Sequence, residues 1–142
     1  MAHSPMSGDP VRTESDGQHA LAVFARDVVS VSSARNWLAR FLAGHQVTST
    51  VSADASLVLS ELVTNALRHG LGDIVALGSL ADDEVRVSVI DAGDELPDLL
   101  PTTPDHIGGM GLHLVGQVAD EWGVAAFPGG KSVWATLSLR RA

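Results

Sequence analysis

Glu61-Leu-Val-Thr-Asn65-Ala-Leu-Arg68-His69-Gly70 reads as one helix with two different sides. Glu61, Asn65 and Arg68 stand at i, i+4 and i+7 and share a polar stripe. Leu59, Leu62, Val63 and Ala66 form a separate apolar stripe, the side that a core would cover. The pattern predicts a helix that begins at Ser52 or Asp54 and runs to His69, with Gly70 and Gly72 ending it.

Working outward, residues 1–18 are rich in Pro, Gly, Ser and charge and read as a disordered tail, leaving 19–142 as a single domain. Leu21, Val23 and Phe24 predict a short edge strand. Ser32-Ser33 can cap a helix over 34–43, in which Trp37, Leu38, Phe41 and Leu42 recur at helical spacing before Gly44. Beyond the central helix, 74–80 and 85–90 look like paired strands around the polar turn 81–84. Val85, Val87 and Val89 would face one way, Arg86 and Ser88 the other. Pro97, Pro101 and Pro104 break regular structure, so the stretch from Asp91 to Gly109 reads as a long loop of the kind that forms lids. A helix from Met110 to about Asp120 and strands over 122–127 and 132–139 complete the chain, with Pro128-Gly129-Gly130 as the last turn. The fold class is α+β: a two-layer sandwich with a mixed, mostly antiparallel sheet covered by helices on one face.

Composition narrows the function. The formal net charge is −8 with nine Lys plus Arg, of which one is Lys, so no basic run tracks a phosphate backbone and direct nucleic-acid binding is not expected. Cysteine is absent, which removes thiol catalysis and thiolate metal sites and fits a reducing cytoplasm. No apolar run approaches the roughly 20 residues that span a bilayer, and no signal pattern opens the chain. A cytoplasmic protein with no membrane association is expected. His3, His19, His45 and His113 show no zinc spacing. Trp37, Trp122 and Trp134 are expected in the core.

Three segments carry candidate chemistry. A carboxylate one turn from a carboxamide suits a magnesium–nucleotide site, since Asn65 offers a neutral oxygen to a hard cation and Glu61 can take a proton from an attacking hydroxyl. The same triplet also fits a solvated helix face. Asp91-Ala-Gly93 ends a strand, where a carboxylate can accept from an adenine amino group and glycine lets backbone approach a ring; it also fits a plain turn. Gly108-Gly109-Met110-Gly111 precedes a helix whose amides can meet phosphate, or is a loop and helix start alone. Gly130-Lys131-Ser132 lacks the glycine spacing of a Walker loop.

Together these segments resemble the GHKL superfamily of ATPases and kinases, most of all its small bacterial branch of anti-sigma-factor serine/threonine kinases. Residues 61–70 resemble that branch's N box, 91–93 its first glycine box, and 108–115 its second; 122–124 and 129–137 are similar to its closing hairpin. The resemblance spans about residues 20–140. It implies a Bergerat-type sandwich that binds ATP through Mg2+ beneath a mobile lid. By position, Glu61 would be the general base and Asn65 the magnesium ligand. Asp91 would read adenine, assisted by Ser132 where the family often has Thr. Gly93, Gly109 and Gly111 would shape the pocket, with the amides of Gly111 and Leu112 near phosphate; Arg68 and His69 flank the N box. The implied activity is ATP-dependent phosphorylation of a Ser or Thr on an anti-sigma-factor antagonist, with a sigma factor as second partner and a homodimer as the assembly.

Two positions depart from the family. Asp94-Glu95 follow Gly93 where a second glycine is common, and Met110 stands where relatives often carry Arg. No Lys or Arg occurs from 91 to 130, while Asp94, Glu95, Asp98 and Asp105 do; His106 is the one lid residue that can become cationic. Phosphoryl transfer depends on positive charge at the γ-phosphate. Two alternatives follow: a non-catalytic regulator shaped by nucleotide, and an adaptor without nucleotide.

Overall fold

A computed structural model describes residues 8–93 and 110–140. Six strands and three helices follow one another as β1 (Arg12–Ser15), β2 (His19–Phe24), α1 (Ser30–Ala43), α2 (Ser49–His69), β3 (Ile74–Ala81), β4 (Glu84–Asp91), α3 (Met110–Val118), β5 (Glu121–Phe127) and β6 (Gly130–Ser138). The strands form a single sheet in the order β1-β2-β3-β4-β6-β5. Every described pairing is antiparallel, which sharpens the mixed sheet expected from sequence.

Period-two alternation decides the layers. Ala22, Ala76, Val89, Val133 and Val124 are cross-strand neighbours in one row, and all five belong to or pack against the core. They meet Leu38 and Leu42 of α1 and Val58, Leu59, Leu62 and Val63 of α2, all buried. Burying a side chain of this size contributes about 1.5–3 kcal/mol each. The opposite face holds Leu21, Val23, Val75, Leu77, Ile90 and Trp134, each only partly buried. Trp134 therefore lies outside the helix-covered core; its ring lies 4.4 Å from the Arg86 guanidinium carbon. Trp37 does reach the core, edge-on to Phe24 at 6.4 Å between centroids.

Several boundaries differ from the sequence reading, each for a physical reason. Residues 12–15, expected in the tail, pair with β2, which is thus not the edge. All four are exposed, so main-chain hydrogen bonds form β1 without an apolar signature to announce it. Helix α2 starts three residues early because Thr48, in extended conformation, accepts the Val51 N–H on its hydroxyl at 3.3 Å. Strand β6 starts at Gly130, not at 132, and this two-residue extension governs the site. The β3–β4 turn is tight: Asp82 and Asp83 have φ of 53° and 63°, the left-handed pair that a two-residue hairpin needs. Among the described residues no helix is long and apolar enough to cross a membrane.

Candidate functional site

The C-terminal ends of α2 and β4 and the start of β6 converge on Asp91. Cross-strand partners share a face of a sheet, and Asp91 pairs with Lys131 while Ile90 pairs with Ser132. Lys131 thus joins Asp91 on the helix-covered face, and Ser132 lies with Ile90 on the other. Because a strand reverses sides at every residue, the register puts Lys131, and not Ser132, directly across from Asp91.

Asp91 is 3% exposed and Lys131 fully buried. The Lys131 ammonium donates to Asp91 Oδ1 at 2.9 Å and, more weakly, to the His69 carbonyl at 3.4 Å. The Gly93 N–H donates to the same Oδ1 at 2.8 Å. The pair and its glycine bond compensate charges that would otherwise be costly to bury.

Two glycines close around this carboxylate, and a third meets the Asp91 main chain. A Cβ at Gly70 would stand 2.6 Å from Asp91 Oδ1 and 2.7 Å from the Ala66 carbonyl. One at Gly130 would stand 2.5 Å from the Asp91 carbonyl, and one at Gly93 3.0 Å from the Gly70 Cα. In sequence Gly70 reads as a helix stop; its backbone is extended, and its requirement is space beside Asp91. Arg26, for which the sequence carries no signal, secures this turn from below: its guanidinium donates to the Leu67 carbonyl at 2.6 Å and the Gly72 carbonyl at 3.5 Å.

Along α2 the polar stripe is as expected in spacing but uneven in burial. Glu61 is half-buried, Asn65 is 6% exposed and Arg68 is exposed. Asn65 Nδ2 is buried without a hydrogen-bond partner, and Glu61 has no hydrogen bond or ion pair among the described residues. A buried carboxamide left unsatisfied costs about 1–3 kcal/mol. Its N–H donor needs an acceptor that the described protein atoms do not provide, which a phosphate oxygen would supply. Asn65, the Glu61 carboxylate one turn away and Asp91 between Gly70 and Gly93 fit a magnesium nucleotide: an oxygen ligand, a proton acceptor and a carboxylate beside glycine backbone.

His69 closes α2 and contributes its carbonyl to Lys131. Gly111 and Leu112 fall in the first turn of α3. Gly109 and the acidic segment with Asp94, Glu95, Asp98, Asp105 and His106 lie outside the described residues. A separate cleft of about 800 Å³ opens between β1 and α1, lined by Thr13, Ser15, Asn36, Trp37 and Arg40 among others. It contains neither Glu61, Asn65 nor Asp91, and the described residues hold no cluster of three or more metal-ligating side chains there or elsewhere.

Two solved structures share this architecture. The RsbU and RsbW domains of Rv1364c from Mycobacterium tuberculosis superpose with a TM-score of 0.66 and 23% identity over 84% of this chain and 31% of that one. The histidine kinase domain of the blue-light activated histidine kinase EL346 from Erythrobacter litoralis gives a TM-score of 0.52 and 19% identity over 82% of this chain and 62% of that one. The chain therefore spans less than two thirds of either protein. No curated protein matches it in sequence. The histidine kinase-like ATPase domain matches residues 24–137, a stretch that contains α2, Asp91 and Lys131 alike, and the chain belongs to that family.

Proposed function

We propose that this chain binds ATP with Mg2+ between α2 and the β4–β6 end of the sheet, and acts as an anti-sigma regulatory protein. The observation that carries the nucleotide reading is Asn65: a buried carboxamide with an unsatisfied Nδ2, one turn after Glu61, which has no partner among the described residues, and on the helix that ends at Asp91. Family membership supports it, and the likeness to a structure containing an RsbW domain agrees with the anti-sigma branch.

Bound Mg-ATP supplies an electrophilic γ-phosphoryl group. In this reading the chain's own residues do the rest. Asn65 turns its amide oxygen to the cation. Asp91 accepts from the adenine amino group beside Gly70 and Gly93. The first turn of α3, with Gly111 and Leu112, offers main-chain amides to phosphate. Glu61 receives the proton from a Ser or Thr hydroxyl of an anti-sigma-factor antagonist. Binding of a sigma factor and a homodimeric assembly belong to the same proposal.

The absence of Lys and Arg from 91 to 130 favours one second reading, a regulator that binds nucleotide without transferring phosphate. Two measurements separate these. Calorimetric titration with ATP and Mg2+ is expected to show binding that Asn65→Ala weakens at least about tenfold, the equivalent of roughly 1.4 kcal/mol. No binding at millimolar ATP leaves only the nucleotide-free adaptor. Labelled γ-phosphate appearing on an antagonist establishes the kinase; tight binding without label leaves the non-catalytic regulator.

A further inference from the structure

We propose that β1 is an interaction edge for a second copy of this chain, pairing antiparallel with its β1 so that Arg12 of each copy stands opposite Glu14 of the other. This rests on the homodimer proposed above and gives it an interface; the nucleotide takes no part in it. β1 ends the sheet, and all four of its residues are exposed. An uncovered strand edge offers its main-chain groups to another strand.

The register with β2 fixes which groups those are. The Asp16 N–H donates to the His19 carbonyl at 3.0 Å, and opposed residues of an antiparallel ladder alternate between bonded and unbonded pairs. Along the register, Glu14–Leu21 and Arg12–Val23 are then bonded pairs, while Thr13 and Ser15 turn their N–H and C=O away from β2. The Val11 N–H also goes inward, to the Val23 carbonyl at 2.7 Å, so the outward donors of this edge are those of Thr13 and Ser15. A second copy must meet β1 through these two residues, and three two-fold registers do so. Ser15 opposite Ser15 sets Glu14 against Asp16. Thr13 opposite Ser15 sets Glu14 against Glu14. Thr13 opposite Thr13 sets Arg12 against Glu14, twice over by symmetry, and is the register in which every opposed charge is matched.

Within one copy Arg12 already donates to Glu14, an exposed contact worth little alone. In the dimer the two pairs become a ring of four charges of alternating sign. Like charges along an edge would repel a second copy; these alternate, and so attract one in a single register. Thr13 and Ser15 point the other way, into the cleft of about 800 Å³ between β1 and α1. A two-fold perpendicular to the sheet puts Thr13 of the second copy on that same side, beside the cleft.

Sedimentation equilibrium of the full chain is expected to show a reversible dimer. Glu14→Arg sets Arg against Arg, and Arg12→Glu sets Glu against Glu, so each variant alone should self-associate at least about tenfold more weakly. Mixed together, the two variants should dimerise as tightly as the parent, because every opposed pair is then complementary. Thr13→Pro removes an N–H that β2 does not use and should abolish the dimer, with thermal melting reporting that the chain still folds. Calorimetry with ATP and Mg2+ should not change in any of them, since β4 and β6 lie further along the sheet. A parent that stays monomeric at about 1 mM overturns both this proposal and the homodimer, and leaves the edge to an extended segment of another protein. A dimer that persists in Glu14→Arg and Thr13→Pro overturns the edge assignment and leaves a homodimer formed through another face. A mixture of the charge variants that stays monomeric overturns the register.

Discussion

At the sheet end of the site, Asp91 and Lys131 are buried, bonded to each other and packed against Gly70 and Gly93; along α2, Glu61 is half-buried with no partner among the described residues and Asn65 is buried with an unsatisfied amide. The first region satisfies itself. The second is left for something else to satisfy. At the closed end the same atoms hold the fold and would meet the base, so stability and binding should change together. Along the helix the two should separate, because Glu61 makes no hydrogen bond or ion pair among the described residues.

The largest expected effect breaks the closed end. Lys131→Met leaves the Asp91 carboxylate buried without its counterion, and such a break costs about 3–5 kcal/mol. Urea unfolding should show it as a lower midpoint. Removing both charges with Asp91→Asn in the same chain should restore at least half of the loss, since the introduced carboxamide can still accept the Gly93 N–H through its oxygen. A double variant as unstable as the single one would show that packing of the lysine stem, not charge pairing, stabilises this end.

Next come the two glycines after α2, which look alike in sequence and differ in structure. Gly70→Ala drives a methyl into Asp91 and the Ala66 carbonyl, an overpacking expected to cost about 3 kcal/mol and to weaken ATP binding by displacing the carboxylate. Gly72 has φ +72° with only the Ala92 methyl 3.4 Å from an added Cβ. Gly72→Ala should cost about 1–2 kcal/mol through backbone strain and leave nucleotide affinity unchanged. Equal effects of the two on ATP affinity, read by calorimetry, would remove the claim that Gly70 serves base binding at Asp91.

How far these features were visible in sequence follows the range of the forces that create them. The α2 stripes are local, set by a 3.6-residue period, and Glu61, Asn65 and the core leucines fall where spacing puts them. The β3–β4 pair and its polar turn are local as well. The pairing of Lys131 with Asp91 has no local signature, because it depends on register between β4 and β6, forty residues apart in the chain. The available signal was that the sole lysine stands beside two glycines at a strand start. Gly70 reads as a stop because close approach to Asp91 leaves no trace in a one-dimensional pattern. Strand β1 merges with the tail in sequence because an exposed edge strand held by main-chain bonds needs no apolar alternation. Arg26 escapes notice for a similar reason: its partners are carbonyls, which every residue has.

The smallest expected change in stability is at Glu61, and it carries the sharpest separation. Glu61→Gln keeps the size and the helix propensity of the side chain and removes only its charge. With no ion pair or hydrogen bond to lose among the described residues, unfolding free energy should stay within about 0.5 kcal/mol of the parent. ATP affinity should change little, because the proposed contacts to adenine and to the cation belong to Asp91 and Asn65. Transfer of labelled γ-phosphate should nonetheless fall by a factor of about 10²–10⁴, the range that a positioned general base contributes. Those three readings together distinguish a proton acceptor from a structural glutamate: a structural one would lower the unfolding midpoint, and a bystander would leave transfer untouched. If Glu61→Gln transfers phosphate as fast as the parent, the unpaired carboxylate is only a solvated face of α2, and the contrast between the two ends of the site reduces to burial alone.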